Sequence, residues 1–246
     1  MNLTTAFTAL RTMISAAGRR SSNDDNNDGG RRRWWWPVVG AAAVSAGYVK
    51  FLRPRLQRWG ATDDEVQRPM LGDGLVHNPT YVTTRAIGID TAPGDVWPWI
   101  VQMGEERGGF YSYDVIDRLL GMNVHSAQRI LPRYQELDVG QPLARNGQMI
   151  VRGIEAGQAI VIGPSTDITD VDATWTIAIY PDGRQQTRLV SRTRARFDFS
   201  SPRALLWFLL LDPGQFVMEQ KFLREIKTRA EGRSEKWPYE GAPTLH

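Results

Sequence analysis

Arg188-Leu189-Val190-Ser191-Arg192-Thr193-Arg194-Ala195-Arg196-Phe197-Asp198-Phe199 has two unlike faces when it is extended. Strand side chains alternate between faces with a period of two. One face carries Arg188, Arg192, Arg194 and Arg196, and it must meet water or anions. The other carries Leu189, Ser191, Thr193, Ala195, Phe197 and Phe199. That second face should be buried, yet its middle three positions are small, where a packed core places large apolar side chains. Two readings follow from this strand alone: a binding cavity above the small residues, or the close approach of a neighbouring helix.

Working outward, Pro181-Asp182-Gly183-Arg184 is a tight turn that joins this strand to Thr174–Tyr180. In that partner Trp175, Ile177 and Ile179 share one face, assigned inward. Met149–Ile154 and Ala159–Ile162 read as further strands, and Tyr81–Ile89 (YVTTRAIGI) as the first. There Ile87 and Ile89 share a face with Arg85 and Thr83, so an inward Arg85 needs an anion or a hydrogen-bonded partner. A position at the rim, paired with a carboxylate, would also satisfy it.

Helices are expected over Pro93–Val101, entered through Asp90 or Thr91, and over Tyr113–Leu120, stopped at Gly121. A last helical region runs from Pro202 to Glu231, broken near Asp212-Pro213-Gly214. Its second half has apolar Phe216, Phe222, Leu223 and Ile226, with Glu219, Lys221, Arg224, Glu225, Lys227 and Arg229 as the polar positions, which suits one stripe on a sheet. Its first half, Ala204–Leu211, is apolar all round and far too short to span a bilayer.

The 246 residues contain no cysteine, which excludes disulfides and thiolate chemistry. His77, His125 and His246 are scattered without metal-ligand spacing, so a metal hydrolase is not expected. The net charge of +3 does not point to nucleic acid, and no cofactor motif is visible. Residues 1–30 read as a disordered tail, or as a transit-like peptide. Residues 31–57 follow as a hydrophobic segment that resembles a membrane anchor. Trp34–Val49 lacks charge and, with or without extension to Leu52, would span roughly 24 to 28 Å with aromatic residues at both ends. A signal peptide cleaved near Val44-Ser45-Ala46 is the alternative, as is a cytoplasmic protein without an anchor. A domain over 58–233 and a tail over 234–246 complete the expected organisation.

Arg58-Trp59-Gly60-Ala61-Thr62-Asp63-Asp64-Glu65-Val66, Ile89-Asp90-Thr91-Ala92-Pro93-Gly94-Asp95-Val96-Trp97, Tyr111-Ser112-Tyr113-Asp114 and Ile130-Leu131-Pro132 carry a resemblance. Together with Glu219–Glu231, these segments resemble the SRPBCC superfamily of START-like, polyketide-cyclase-like helix-grip proteins. The likeness covers Trp59 to Glu231 and is strongest to uncharacterised bacterial members. It implies an α+β fold in which a curved antiparallel sheet grips a long C-terminal helix around an apolar cavity. It does not imply one reaction.

Residues expected to line such a cavity are Arg85, Trp97, Tyr111, Tyr113, Trp175, Ile177, Ser191, Thr193, Ala195, Phe197 and Phe222. The expected function is binding of a hydrophobic small molecule or lipid, at a membrane through residues 34–52. A cyclase or dehydratase using a tyrosine and a carboxylate, such as Tyr111 or Tyr113 with Asp114, is the enzymatic alternative. An interaction protein with a filled core is the third. Trp97 and Trp99 flank Pro98 and cannot share a helix face, so one should be core and the other not.

Overall fold

A computed structural model describes residues 40, 47–111, 126–144, 149–165, 172–197 and 202–232, except the side chains of 49 and 202–211. Among these the extended runs become β1 (Tyr81–Ile89), β2 (Ile150–Glu155), β3 (Ala159–Gly163), β4 (Ala173–Pro181) and β5 (Thr187–Ala195). They form one antiparallel sheet in the order β1-β5-β4-β3-β2. The helices are α1 (Arg53–Gln57), α2 (Asp63–Gln67), α3 (Pro93–Val101) and α4 (Pro202–Ala230). The chain divides into two units, Met1–Arg55 and Leu56–His246. In the first, Tyr48–Leu52 is π-helical, with Phe51 and Leu52 exposed. No helix among the described residues is long and apolar enough to cross a membrane, and most of 34–52 lies outside those residues.

In the second unit, the alternation of β5 sets the two layers. Cross-strand register places Ile87, Leu189 and Ile179 in one inner row and Arg85, Ser191 and Ile177 in the next. A third inner row holds Thr83, Thr193 and Trp175. On this face Ile160, Ile162, Ile177, Ile179 and Leu189 pack with Val96, Trp99 and Ile100 of α3 and with Phe222, Leu223 and Ile226 of α4. Large β-branched residues on the sheet and a stripe on each helix bury one apolar layer, the usual solution for a sheet with one helical cover.

On the outer face the arginines meet carboxylates, Arg188 with Glu65, Arg192 with Asp73 and Arg196 with Asp172, and chain rather than open water covers part of that face. Ala86, Val190, Ala178 and Ala159 form a row of small residues across four strands, and Ala61, Met70 and Leu71 cover it. Small side chains let the 58–76 segment lie close. The Trp59 carbonyl accepts from Ala86 N at 3.1 Å, and a Cβ on Gly60, at φ +71, would stand 2.0 Å from the Ala86 carbonyl oxygen. Arg192 is buried beneath this segment, while Arg188 and Arg194 remain partly exposed. Buried Arg192 is tolerated because every N–H it carries has an acceptor.

Two expectations change. β5 stops at Ala195, so Phe197 lies beyond the strand, 44% exposed, with its ring 5.7 Å from that of Tyr81. And α4 continues through Asp212-Pro213-Gly214 as one helix of 29 residues. Proline in a helix removes one hydrogen bond, and here the flanking Asp212 is held against the sheet by Tyr81. α4 runs alongside β1 in the same direction. Tyr81 meets Asp212, Arg85 meets Glu219, and the Asp90 N–H donates to Glu231. From Arg85 to Asp90 a strand advances about 17 Å, and from Glu219 to Glu231 a helix advances about 18 Å. This matched rise lets the two elements stay in register along their contact, in the helix-grip arrangement.

Candidate functional site

Arg85 sits at the centre of the inner face, fully buried. Its Nε donates to the Leu56 carbonyl at 2.9 Å, and its Nη1 donates to Gln215 Oε1 at 3.2 Å and to the Glu219 carboxylate. The guanidinium carbon lies 5.4 Å from the centre of the Phe216 ring. The same carboxylate accepts from the Ser191 hydroxyl at 2.5 Å and from Gln215 Nε2 at 3.3 Å. Ser191 in turn accepts from Trp175 Nε1 at 2.8 Å. A chain of donors therefore leads from the indole through the serine to the glutamate. Toward the Tyr81 end, Gln215 Nε2 donates to Thr193 Oγ1 at 3.2 Å, and the Tyr81 hydroxyl lies 2.8 Å from Asp212 Oδ1.

Local sequence explains how these groups meet. Tyr81, Thr83 and Arg85 alternate along β1, and Ser191 and Thr193 face them from β5. Asp212, Gln215 and Glu219 are spaced three and four apart, so they share the face of α4 that overlies them.

Charge in the network is set mainly by burial. Removal from water raises the Glu219 carboxyl above its ordinary value, and Arg85 and the Ser191 hydroxyl offset this only in part. Burial, then the adjacent Asp212, likewise raise the Tyr81 phenol, so this hydroxyl is a proton donor and never a phenolate near neutral pH. A raised carboxyl makes the unfolded chain bind fewer protons than the folded one above the ordinary value of 4.5. Stability contributed by the protonated group is therefore present below 4.5 and declines as pH rises through the folded value. Glu219→Gln should remove this decline. The check is the unfolding free energy between about pH 4.5 and 7, where an unchanged slope in the variant would show that Glu219 is not its source.

The opposite sign holds at Glu65 on the outer face. Burial raises it, but the Arg188 hydrogen bonds, the Thr62 N–H and the Arg188 charge together hold it below its ordinary value.

The expected site residues divide into groups. Arg85, Ser191, Thr193 and Trp175 come together, with Ile177 beside Ser191 and with the Phe222 ring 5.1 Å from that of Trp175. Tyr111 belongs elsewhere. Fully buried at φ +53, it is hydrogen-bonded to Gln102 Nε2 at 2.8 Å, packs on Trp99, and lies 5.0 Å from the Arg229 guanidinium. Arg229 follows Glu219 on α4 by about 15 Å of helix rise, so Tyr111 and Arg85 do not share a polar cluster. Trp97 is partly buried against the core, whereas Trp99 is within it. Ala195 is buried near the Tyr81 end, and Phe197 is outside the inner face. Tyr113 and Asp114 lie outside the described residues; among those described, Tyr81 and Asp212 are a tyrosine and a carboxylate in contact at this site.

Glu219, Gln215, Thr83, Tyr81 and Asp212 were not anticipated. For Glu219 a signal existed: Phe216, Phe222, Leu223 and Ile226 lie at −3, +3, +4 and +7 from it, so it falls within the apolar stripe.

No protein-family model matches the chain, and no curated protein matches it. Solved structures similar to it include the self-sacrificing resistance protein CalC from Micromonospora echinospora. That match is 12% identical, covers 63% of this chain and 97% of that one, and has a TM-score of 0.34. An AHSA1-like protein from Rhizobium etli is 14% identical over 68% of this chain and 92% of its own, with a TM-score of 0.34. Truncated norcoclaurine synthase from Thalictrum flavum is 11% identical over 60% and 91%, with a TM-score of 0.31. The helix-grip assignment stands on the strand order and on the packing of α4 along β1.

Proposed function

We propose that this helix-grip chain binds a hydrophobic small molecule on the inner face of the sheet, beside α4. One observation carries the reading. In the row Thr83, Thr193 and Trp175, Thr83 is fully buried but Thr193 and Trp175 stay partly exposed, although Ser191 and Ile177 in the next row are buried. The cover over the core is thus incomplete at an indole and a hydroxyl that adjoin Phe222 and the Arg85–Glu219 network. An aromatic wall with a few polar groups at its inner end is the usual make-up of a small-molecule site. Burial of an apolar ligand there would supply about 25 cal/mol per Å² before ordering costs. Attachment to a membrane through residues 34–52 is part of the proposal, supported by the aromatic-flanked, uncharged sequence of that segment.

The test uses the full-length chain and the apolar dye N-phenyl-1-naphthylamine. Saturable, stoichiometric uptake is expected, with quenching of Trp175. Thr193→Trp adds an indole to the partly covered row and should weaken uptake roughly tenfold or more while leaving the fold intact. Dye affinity unchanged in this variant would remove the site from the inner face.

A further inference from the structure

We propose that the inner face carries a carboxylate subsite, formed by Nη2 of Arg85 and the hydroxyl of Thr83, so that the bound molecule is an apolar body ending in a carboxylic acid. The inference rests on the reading of this face as a ligand site and names its chemistry. Both atoms are buried and, among the described residues, neither has a hydrogen-bond partner. Such atoms are rare in folded proteins, because a buried donor left unmade forfeits its hydration with no return.

The surrounding groups are already committed. Glu219 accepts from Arg85 Nη1, Gln215 and Ser191, and Gln215 Oε1 accepts from Arg85 and faces the Tyr81 hydroxyl. Thr83 and Arg85 point to the same face of β1 from positions about 7 Å apart along the strand. A carboxylate that accepts one bond of about 2.8 Å at each oxygen is suited to bridge two such donors. The guanidinium favours this planar acceptor over a hydroxyl or an ester, since charge-assisted bonds are the stronger ones.

Charge points the same way. Arg85 pairs with Glu219 through Nη1, but Nη2 of the same buried cation is left without an acceptor. An incoming carboxylate supplies one, whereas a phosphate dianion would bring excess charge into a dry site. Thr83 shares its row with the partly exposed Thr193 and Trp175, so a ligand whose head reaches Thr83 can lay its chain along Trp175 and Phe222.

Isothermal titration of the full-length chain with dodecanoate and with methyl dodecanoate tests this. The acid is expected to bind on the order of tenfold tighter than the ester. Thr83→Val, close in shape but without the hydroxyl, should weaken the acid by roughly three- to tenfold and leave the ester unchanged, with no loss of thermal stability. Equal affinities, a weaker acid, or equal loss of both ligands in Thr83→Val would overturn the carboxylate subsite while dye uptake keeps the binding site itself. Absence of binding by acid, ester and dye alike would overturn both.

Discussion

Glu219→Leu, with Arg85 left in place, is expected to destabilise the protein by about 3–5 kcal/mol, because it strands a buried cation. Arg85 is fully buried and Glu219 is 5% exposed. Neither charge can recover hydration without the sheet and α4 parting. The double variant Arg85→Met/Glu219→Leu should regain most of the loss, since two packed apolar side chains of similar length remove both desolvation costs. Part of the deficit will persist, about 1 kcal/mol, as the Leu56 carbonyl loses its donor. Urea unfolding of wild type, both single variants and the double variant measures the coupling. A Glu219→Leu cost below about 1 kcal/mol, or a double variant as unstable as the single, would show that the pair is solvated and that the inner network is not a dry site.

Arg192→Leu should produce the second large effect, on the other side of the sheet. Arg192 Nε donates to Thr84 Oγ1 at 3.0 Å, Nη1 to the Arg68 carbonyl and Asp73 Oδ2 at 2.8 Å each, and Nη2 to the Glu65 and Val66 carbonyls at 2.7 and 3.0 Å. All the N–H groups of the side chain are thereby used. The Glu65 and Val66 carbonyls belong to α2, a short helix whose terminal carbonyls have few internal partners, so a sheet arginine serves as its cap. Removing that cap should cost about 3–5 kcal/mol, with three main-chain carbonyls and Asp73 losing a donor. Hydrogen exchange should show residues 62–76 losing protection before β1 and β5 do. Arg192→Lys should restore only a minor part, because an ammonium cannot reproduce the fork. Unchanged protection of 62–76 in Arg192→Leu would mean that the apolar row of Ala86, Val190 and Ala178 holds the segment unaided.

The two variants probe two layers that the sequence presents with unequal clarity. β1 is legible because Tyr81–Ile89 is rich in β-branched residues, and β4 and β5 because a proline–glycine turn separates two alternating runs. The inward assignment of Trp175, Ile177, Leu189 and Ser191 follows from the strand period alone, and the register agrees with it. The small residues at Ser191 and Thr193 left two readings open, a cavity or the close approach of a helix, and at Ser191 a helix glutamate makes that approach.

The outer arginines meet anions as their face required, Arg188 pairing with Glu65 and Arg192 with Asp73, but the burial of Arg192 was not legible. A charged side chain in an alternating strand is solvent-facing unless something covers it, and no local pattern reveals that 58–76 folds back over β5. Nor does a period of 3.6 reveal that Glu219 belongs to the buried stripe, unless its apolar neighbours are allowed to outweigh its charge. Pro213 misled in the same manner. A proline breaks a helix by its local cost, and α4 carries it where Asp212 on one side and Gln215 on the other are tied to the sheet.

Determined by the sequence alone are the α+β class, the strands with their faces, the C-terminal helix and the need of an inward Arg85 for a partner. These follow from interactions between residues a few positions apart, where backbone geometry fixes the spacing. The tertiary structure decided which partner Arg85 has, which arginine is buried, and where the inner face stays partly open. Arg85 and Glu219 are separated by 134 residues, and Arg192 and Glu65 by 127. Only strand register and the rotation of α4 about its axis bring such positions together, and both are set by packing of the whole core.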